Sequence, residues 1–462
     1  MSSYQQQIVR RTSIGRIEVQ STEQRPERAV LIGVEIRDEP GAWPVDDSLD
    51  ELALLARTAG VEVVGEFTQT LDHPNVTFFI GPGKVEEIKA YKGAEPFDLI
   101  IFDDDLSPSQ QRNLERELRT RVIDRRSLIL DIFAQHARTR EGALQVEVAQ
   151  YEYLLPRLTR AWTHLSRQTR GGVGLRGPGE TQLEIDRRRM RARLTHLRRE
   201  LEEVRRHRAL YRGRRRKSGI PIVAIVGYTN AGKSTLLNRV SGSNVLEADQ
   251  LFATLDPTTR RVRLPGGTEV LFTDTVGFVQ KLPPDLVAAF RATLEEITDA
   301  DIILHVVDIT HPHVQRQVDV VDTTLRELGV QETPVVVALN KIDLLPEEEA
   351  ERARHESGGR IVAVSARTGE GVEALLTTIA EVLGEHGKTI RALIPYDHQA
   401  LLSAVHRSGT VHQQQHLSGG TLVVASVPLN LAGQLEPYLC DGGSGAECPD
   451  DVGAQTAGAA SP

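Results

Sequence analysis

Cysteine is almost missing from this chain: two in 462 residues, Cys440 and Cys448, both in a stretch dominated by Gly, Ala, Ser and Asp. Neither a disulfide framework nor a structural zinc site is supported by so few thiols in such a place. Aromatic residues are scarce too, at 4%, which argues against reading single strands by base stacking. No apolar run reaches the length of about 20 residues that a spanning helix needs. The opening stretch Met1 to Arg10 is polar, so no secretory leader is expected and the expected location is cytoplasmic.

What is present is a soluble, globular composition, 40% hydrophobic and 26% charged, with room for roughly three domains of about 150 residues. The net charge is −9 but unevenly placed: residues 187–217 hold fourteen Arg and one Lys against three Glu, a local +12 that leaves −21 for the rest. A net positive helix-length segment in an acidic protein predicts a polyanion partner. RNA is the expected one, recognised through its phosphates and shape.

Taken in order, residues 1–28 form a loose lead-in. Residues 29–136 alternate strand and helix, with strands expected at 28–36, 61–67, 77–80 and 97–102 and helices at 49–59, from Val85, and at 109–118. That alternation predicts a small α/β domain with a mainly parallel sheet. The turn Gly81-Pro82-Gly83-Lys84 suits either an anion site or an ordinary βα turn. Residues 137–217 change period: Leu144, Val148, Tyr151, Leu155, Leu158 and Trp162 make one apolar stripe, and Met190, Leu194, Leu197, Leu201, Val204 and Tyr211 another. Two such stripes predict an antiparallel helical hairpin, with Pro156 interrupting the first helix. Between them Ser166 to Glu180 carries five glycines and three arginines, Arg167, Arg170 and Arg176, a tip suited to close approach to phosphates. Residues 218–386 alternate again, residues 387–440 form a small α+β unit, and residues 441–462 are expected to be disordered. His406, His412 and His416 in that unit have no Cys or paired carboxylate beside them, so a metal centre is not expected there.

The chemistry is concentrated in residues 218–386. The apolar run Ile222 to Val226 leads into Gly227-Tyr228-Thr229-Asn230-Ala231-Gly232-Lys233-Ser234-Thr235 and then a helix-like segment. Strand, glycine-rich loop and helix in that order make a phosphate-binding loop, in which backbone N–H groups and a helix N-terminus meet an anion. Lys233 is expected on the β- and γ-phosphates and Ser234 on a magnesium ion. Leu271 to Gly277 is a strand ending in Asp274-Thr275-Val276-Gly277, where Asp274 is expected to hold the magnesium through water and the Gly277 N–H to meet the γ-phosphate. Phe252-Ala253-Thr254-Leu255-Asp256 supplies Thr254, whose hydroxyl is expected to complete the magnesium shell only with the γ-phosphate present, a switch. Lys233, Thr254 and Gly277 thus form the expected catalytic set. Asn340-Lys341-Ile342-Asp343 delivers a carboxylate that can accept two hydrogen bonds from guanine and none in that pattern from adenine. Ser365-Ala366-Arg367 places the Ala366 N–H near the guanine carbonyl.

These motifs resemble the G1 to G5 set of the TRAFAC GTPases. Phe278 stands where Ras-like members carry the glutamine that orients the attacking water. Slow intrinsic hydrolysis is therefore expected, with the missing group coming from a partner, an ion or a rearranged switch. Asn230 occupies the place where potassium-activated relatives ligate a cation, so K+ joins GTP, GDP and Mg2+ among the expected ligands. Further stretches, Phe102 to Leu114, Val122 to Asp131, Ala137 to Gly142 and Arg176 to Glu184, resemble HflX-type GTPases over about residues 28 to 440. The resemblance implies a ribosome-associated GTPase that binds the large subunit and its RNA, splits or rescues stalled ribosomes, and in some lineages bears on antibiotic resistance. A large-subunit assembly GTPase and a GTP-dependent switch for a non-ribosomal protein remain alternatives.

Overall fold

Ala29, Val30, Leu31 and Ile32 are consecutive and fully buried, the pattern of a strand covered on both faces rather than one. They form the centre of β1 (Arg28–Ile36) in a computed structural model that describes residues 25–37, 43–158, 178–217, 220–242, 251–252, 257–281, 296–386, 388–427 and 429–440. The chain divides into two compact units, Met1–Ile129 and Leu130–Pro462.

In the first unit β1 is followed by α1 (Val45–Thr58), β2 (Glu62–Leu71), α2 (Pro82–Ala94), β3 (Leu99–Phe102), α3 (Pro108–Leu118) and β4 (Arg121–Asp124). The sheet order is β2-β1-β3-β4 and every pairing is parallel. The strand expected at 77–80 does not form. Asn75 Oδ1 instead accepts from the N–H groups of Thr77 and Phe78, diverting donors a ladder would need, and Phe79 adopts a positive φ of 69°. The Gly81 turn behaves as a turn: its N–H donates to Gln69 Oε1 at 2.9 Å, Pro82 opens α2, and Lys84 pairs with Glu87 at 2.7 Å. Arg125, fully buried, donates to Asp103 Oδ1 at 2.5 Å and to Glu51, so its charge is compensated in place.

α4 (Arg125–His136) spans the division between the units. α5 (Arg140–Arg157) is capped by Thr139 Oγ1, which accepts from the Gly142 N–H at 3.0 Å, and it stops one residue after Pro156. α6 (Pro178–Lys217) runs for 40 residues. Leu144 and Val148 of α5 pack with Leu194, Leu197 and Leu201 of α6, with Tyr151 and Val204 alongside. Arg140 pairs with Glu200 and Glu147 with Arg193, the antiparallel sense, and Glu152 pairs with Arg198. Trp162, the arginines at 167, 170 and 176 and the rest of the glycine-rich tip up to residue 177 lie outside the described residues, while Pro178, Gly179 and Glu180, expected in the tip, open α6.

The largest sheet is mixed and has the order β10-β9-β8-β5-β7-β6, built from β5 (Ile222–Val226), β6 (Thr258–Arg263), β7 (Glu269–Asp274), β8 (Ile302–Asp308), β9 (Val335–Asn340) and β10 (Ile361–Ala363). Only the edge pair β6–β7 is antiparallel. β5 lies between β7 and β8, so the loop that leaves it emerges mid-sheet, where parallel α/β sheets place their ligands. A third sheet, β11 (Lys388–Ile394), β13 (Gly420–Val427) and β12 (Thr410–Leu417), is antiparallel and packs against the helix Gln399–Ser408. His412 and His416 lie exposed on β12, hydrogen bonded to Ser426 and Thr421. No described helix is long and apolar enough to cross a membrane.

Candidate functional site

The five buried residues of β5 run directly into the glycine-rich loop, and α7 (Lys233–Ser241) begins at its lysine. Two of the glycines are sterically required. A Cβ on Gly227 would stand 2.2 Å from Val306 O, and one on Gly232, at φ +93°, would stand 2.3 Å from Asn340 Nδ2. Asn230, also at positive φ, is exposed. Lys233 is buried beneath the loop and donates to Gly227 O at 3.1 Å and Tyr228 O at 2.7 Å. Burial pushes its pKa down to about 8 from the usual 10.5, with Asp274 opposing the shift.

Asp274 ends β7 beside the loop. Ser234 Oγ donates to Asp274 Oδ2 at 2.7 Å, bringing together two hard oxygen donors of the kind magnesium takes. No cluster of three His, Cys, Asp or Glu with metal-binding placement occurs among the described residues. Thr275 Oγ1 donates to Ile225 O at 2.7 Å and fixes the turn. The next residues are stitched to the phosphate loop through the backbone: the Thr229 N–H donates to Phe278 O at 2.8 Å and the Phe278 N–H to Gly227 O at 3.1 Å. Tyr228 Oη accepts from the Gln280 N–H at 2.9 Å. The Phe278 ring, 2% exposed, packs with Val226, Ile297 and Ile303 in the core. It points away from solvent and supplies no polar group to the loop.

At the other end Asn340, buried, bridges two loops: its Nδ2 donates to Ala231 O at 2.7 Å and its Oδ1 accepts from the Ala366 N–H at 2.9 Å. Asp343 accepts from Ser365 Oγ at 2.6 Å and from the Arg367 guanidinium. Lys341, at a φ of 71°, pairs with Asp308 at 2.6 Å. Ile342 is buried beneath them. Phosphate loop, Asp274 turn, Asn340 strand end and Ser365 loop therefore converge at one edge of the sheet. Leu251 and Phe252 are described, and Phe252 is buried with its ring edge-on to Phe133 at 4.7 Å. Ala253, Thr254, Leu255 and Asp256 lie outside the described residues.

Four family models match consecutive parts of the chain: a GTP-binding GTPase N-terminal region at residues 46–134, a GTP-binding GTPase middle region at 136–215, a 50S ribosome-binding GTPase at 222–341 and an HflX C-terminal domain at 348–436. GTPase HflX of Caldanaerobacter subterraneus subsp. tengcongensis is 44% identical over 413 residues, 89% of this chain and 94% of that protein. The chain belongs to the HflX family of GTPases. GTPase HflX of Escherichia coli strain K12 is 47% identical over 358 residues, 77% of this chain and 83% of its own length. Among solved structures, a GTP-binding protein from Sulfolobus solfataricus in complex with GDP is 25% identical over 77% of this chain and 98% of its own, with a TM-score of 0.41.

As an HflX-family member the chain is a P-loop GTPase that takes GTP and GDP. Three contacts at its site were not legible in the motifs. Arg239, in the last turn of α7, donates from Nε to Ala366 O at 3.1 Å and from Nη2 to Arg367 O, tying the helix after the phosphate loop to the loop that follows β10. Asp308 ends β8 opposite Asn340 and accepts from Lys341. His305, buried on β8, has its pKa pushed down to about 4, by burial first and by the Lys233 charge second, and is neutral at pH 7. Asp308 alone had a signal, an acidic residue ending an apolar strand. Arg239 and His305 become neighbours of the site only through sheet order.

Proposed function

We propose that this protein is a GTP-hydrolysing factor that binds the large ribosomal subunit and splits or rescues stalled ribosomes. The observation that carries this is the pairing, in one chain, of an assembled guanine-nucleotide site with α6. That helix holds one face on α5 through Leu194, Leu197 and Leu201. It leaves arginines such as Arg189 and Arg206 with side chains 77% and 76% exposed. A net charge of +9 on α6, +12 of it over residues 187–217 against three acidic residues in its first turns, attracts RNA phosphate, and the family model over 222–341 is that of a 50S ribosome-binding GTPase.

In the nucleotide site Asp343 takes the guanine N1–H and exocyclic amine once Arg367 swings off, Ser365 keeps its carboxylate aimed, and Ala366 N–H, which donates to Asn340 Oδ1 at 2.9 Å, is shared with the base carbonyl. Lys233 turns from the carbonyls of Gly227 and Tyr228 to the β- and γ-phosphates. Ser234 and Asp274 would hold a magnesium ion, whose charge would offset that of the phosphates, and Gly277 N–H marks the γ-phosphate. Thr254 would complete that ion's shell as the switch, and Asn230 would hold K+. Water attacks the γ-phosphorus, the bond to the β–γ bridging oxygen breaks, and GDP leaves with that electron pair. Because Phe278 is a core residue, no side chain at that place positions the water, so the rate is low until the ribosome is bound.

The test measures GTP hydrolysis with and without purified large subunits, beside sedimentation of intact ribosomes with a non-hydrolysable GTP analogue. Stimulation together with separation of the subunits is the expected result. Stimulation with ribosomes intact would move the assignment to subunit assembly, and no stimulation would move it to a switch for a non-ribosomal protein.

A further inference from the structure

Thr229 stands at the second variable place of the phosphate loop, between Tyr228 and Asn230. Its backbone is fixed, since its N–H donates to Phe278 O at 2.8 Å. Its methyl group faces the Asp274 turn: a Cβ on Gly277 would stand 2.9 Å from Thr229 Cγ2 and 2.9 Å from Lys233 Nζ. Thr229, Gly277 and the lysine ammonium therefore meet at one point. The hydroxyl is what lacks an explanation. Thr229 is 7% exposed and its Oγ1, buried, has no hydrogen-bond partner among the described residues. The neighbouring hydroxyls do not share this condition, for Tyr228 Oη accepts from Gln280, Ser234 Oγ donates to Asp274 and Thr275 Oγ1 donates to Ile225.

A hydroxyl buried without a partner is costly and uncommon. A valine would fill the same space without that cost, so packing alone does not account for a threonine. The residue that could have positioned water from the following turn is Phe278, and its ring is committed to the core. The loop thus holds one unspent hydroxyl on the residue whose methyl group meets the lysine and the glycine assigned to the γ-phosphate, and lacks the side chain that turn would otherwise provide.

We infer that the Thr229 hydroxyl is a catalytic group of the GTPase reaction: as the γ-phosphoryl group transfers, and not before, it donates to one of its oxygens and accepts from the attacking water. The reaction is unchanged in its balance. The water oxygen bonds to the γ-phosphorus, the bond to the bridging oxygen breaks with its electron pair left on GDP, and the water proton passes to a phosphate oxygen. Thr229 neither gains nor loses a proton. This rests on the nucleotide-site reading above and adds to it the group that takes over part of the absent glutamine's work.

The experiment compares full-length wild type, Thr229→Val and Thr229→Ser in single-turnover GTP hydrolysis, in affinity for GDP and a non-hydrolysable GTP analogue, and in affinity for GDP with aluminium fluoride, a transition-state mimic. Thr229→Val should lose on the order of 100-fold in rate and a comparable factor in aluminium fluoride binding, the scale for one donor to a developing charge. Its affinities for GDP and the GTP analogue should stay within about twofold of wild type. Thr229→Ser should recover most of both losses. A valine variant that hydrolyses like wild type overturns the inference. So does one that loses GDP as strongly as the transition-state mimic, because the role is then structural. Failure of the wild-type chain to bind GDP at all would strike instead the nucleotide-site reading beneath it.

Discussion

Replacing Asn340 by alanine removes a side chain that bonds to the phosphate loop and the base loop at once. Both of its bonds are to backbone groups, Ala231 O and the Ala366 N–H, and Asn340 itself is 2% exposed. Water cannot readily substitute at that depth, so the variant leaves a carbonyl and an amide buried without partners. Each such group costs about 1–3 kcal/mol, which puts the loss at about 2–6 kcal/mol. For a domain of this size about 1 kcal/mol corresponds to about 2–4 °C in Tm, so a central loss of about 4 kcal/mol lowers the melting point by about 8–16 °C. Several domains melt in this chain, and a single bulk transition would blur them. Hydrogen exchange resolves the matter: peptides from β5, α7 and β9 should lose protection in the nucleotide-free variant while peptides from β1 to β4 keep theirs. GDP affinity should fall by about 10- to 100-fold, since the base loop loses its tie to the phosphate loop. Unchanged protection in β5 and β9 together with wild-type GDP affinity would refute the account of Asn340 as the cross-link.

Three further expectations follow from the same geometry. Lys233 titrates near 8 in the nucleotide-free protein and near 10.5 when unfolded, so the unfolded chain holds the extra proton between those values and stability should rise with pH across that window. Phosphates favour the ammonium, so GDP affinity should fall about tenfold from pH 7 to pH 9; a Lys233→Arg variant should show no such slope, and an equal slope in both would exclude Lys233 as its source. Phe278→Gln restores the residue of Ras-like proteins in sequence but puts an amide into a core position, so it should cost about 3–5 kcal/mol in a denaturant melt and leave hydrolysis no faster; a tenfold faster variant would show that the side chain can reach the nucleotide. Leu197→Ala, at a fully buried place between α5 and α6, should cost about 2–5 kcal/mol and expose α6 to proteolysis with GDP affinity retained, and unchanged proteolysis would place Leu197 outside the seam.

Much of the site was legible because its parts are local. A strand, glycines at strained backbone positions and a lysine at a helix start are contiguous, and Gly227 and Gly232 prove to be places where a Cβ has no room. The hairpin was legible for the same reason, since Leu144, Val148, Leu194, Leu197 and Leu201 recur at helical spacing. The missed strand at 77–80 shows the limit. Its residues have strand character, but Asn75 competes for their amides through its side chain, and residue preference cannot rank that bond against a ladder.

The order of motifs along the chain, and the type of side chain at each, determined by themselves that this is a guanine-nucleotide GTPase with a basic helical hairpin, because phosphate loops and base selection depend on residues a few positions apart. Tertiary structure decided what those residues do to one another. The order β9-β8-β5-β7 brings Asn340 against Ala231, sets His305 near Lys233 and lays Phe278 along the phosphate loop. Burial then lowers the lysine pKa and isolates the Thr229 hydroxyl. Desolvation and hydrogen-bond satisfaction are properties of a closed environment, and segments far apart in sequence must fold together before either exists.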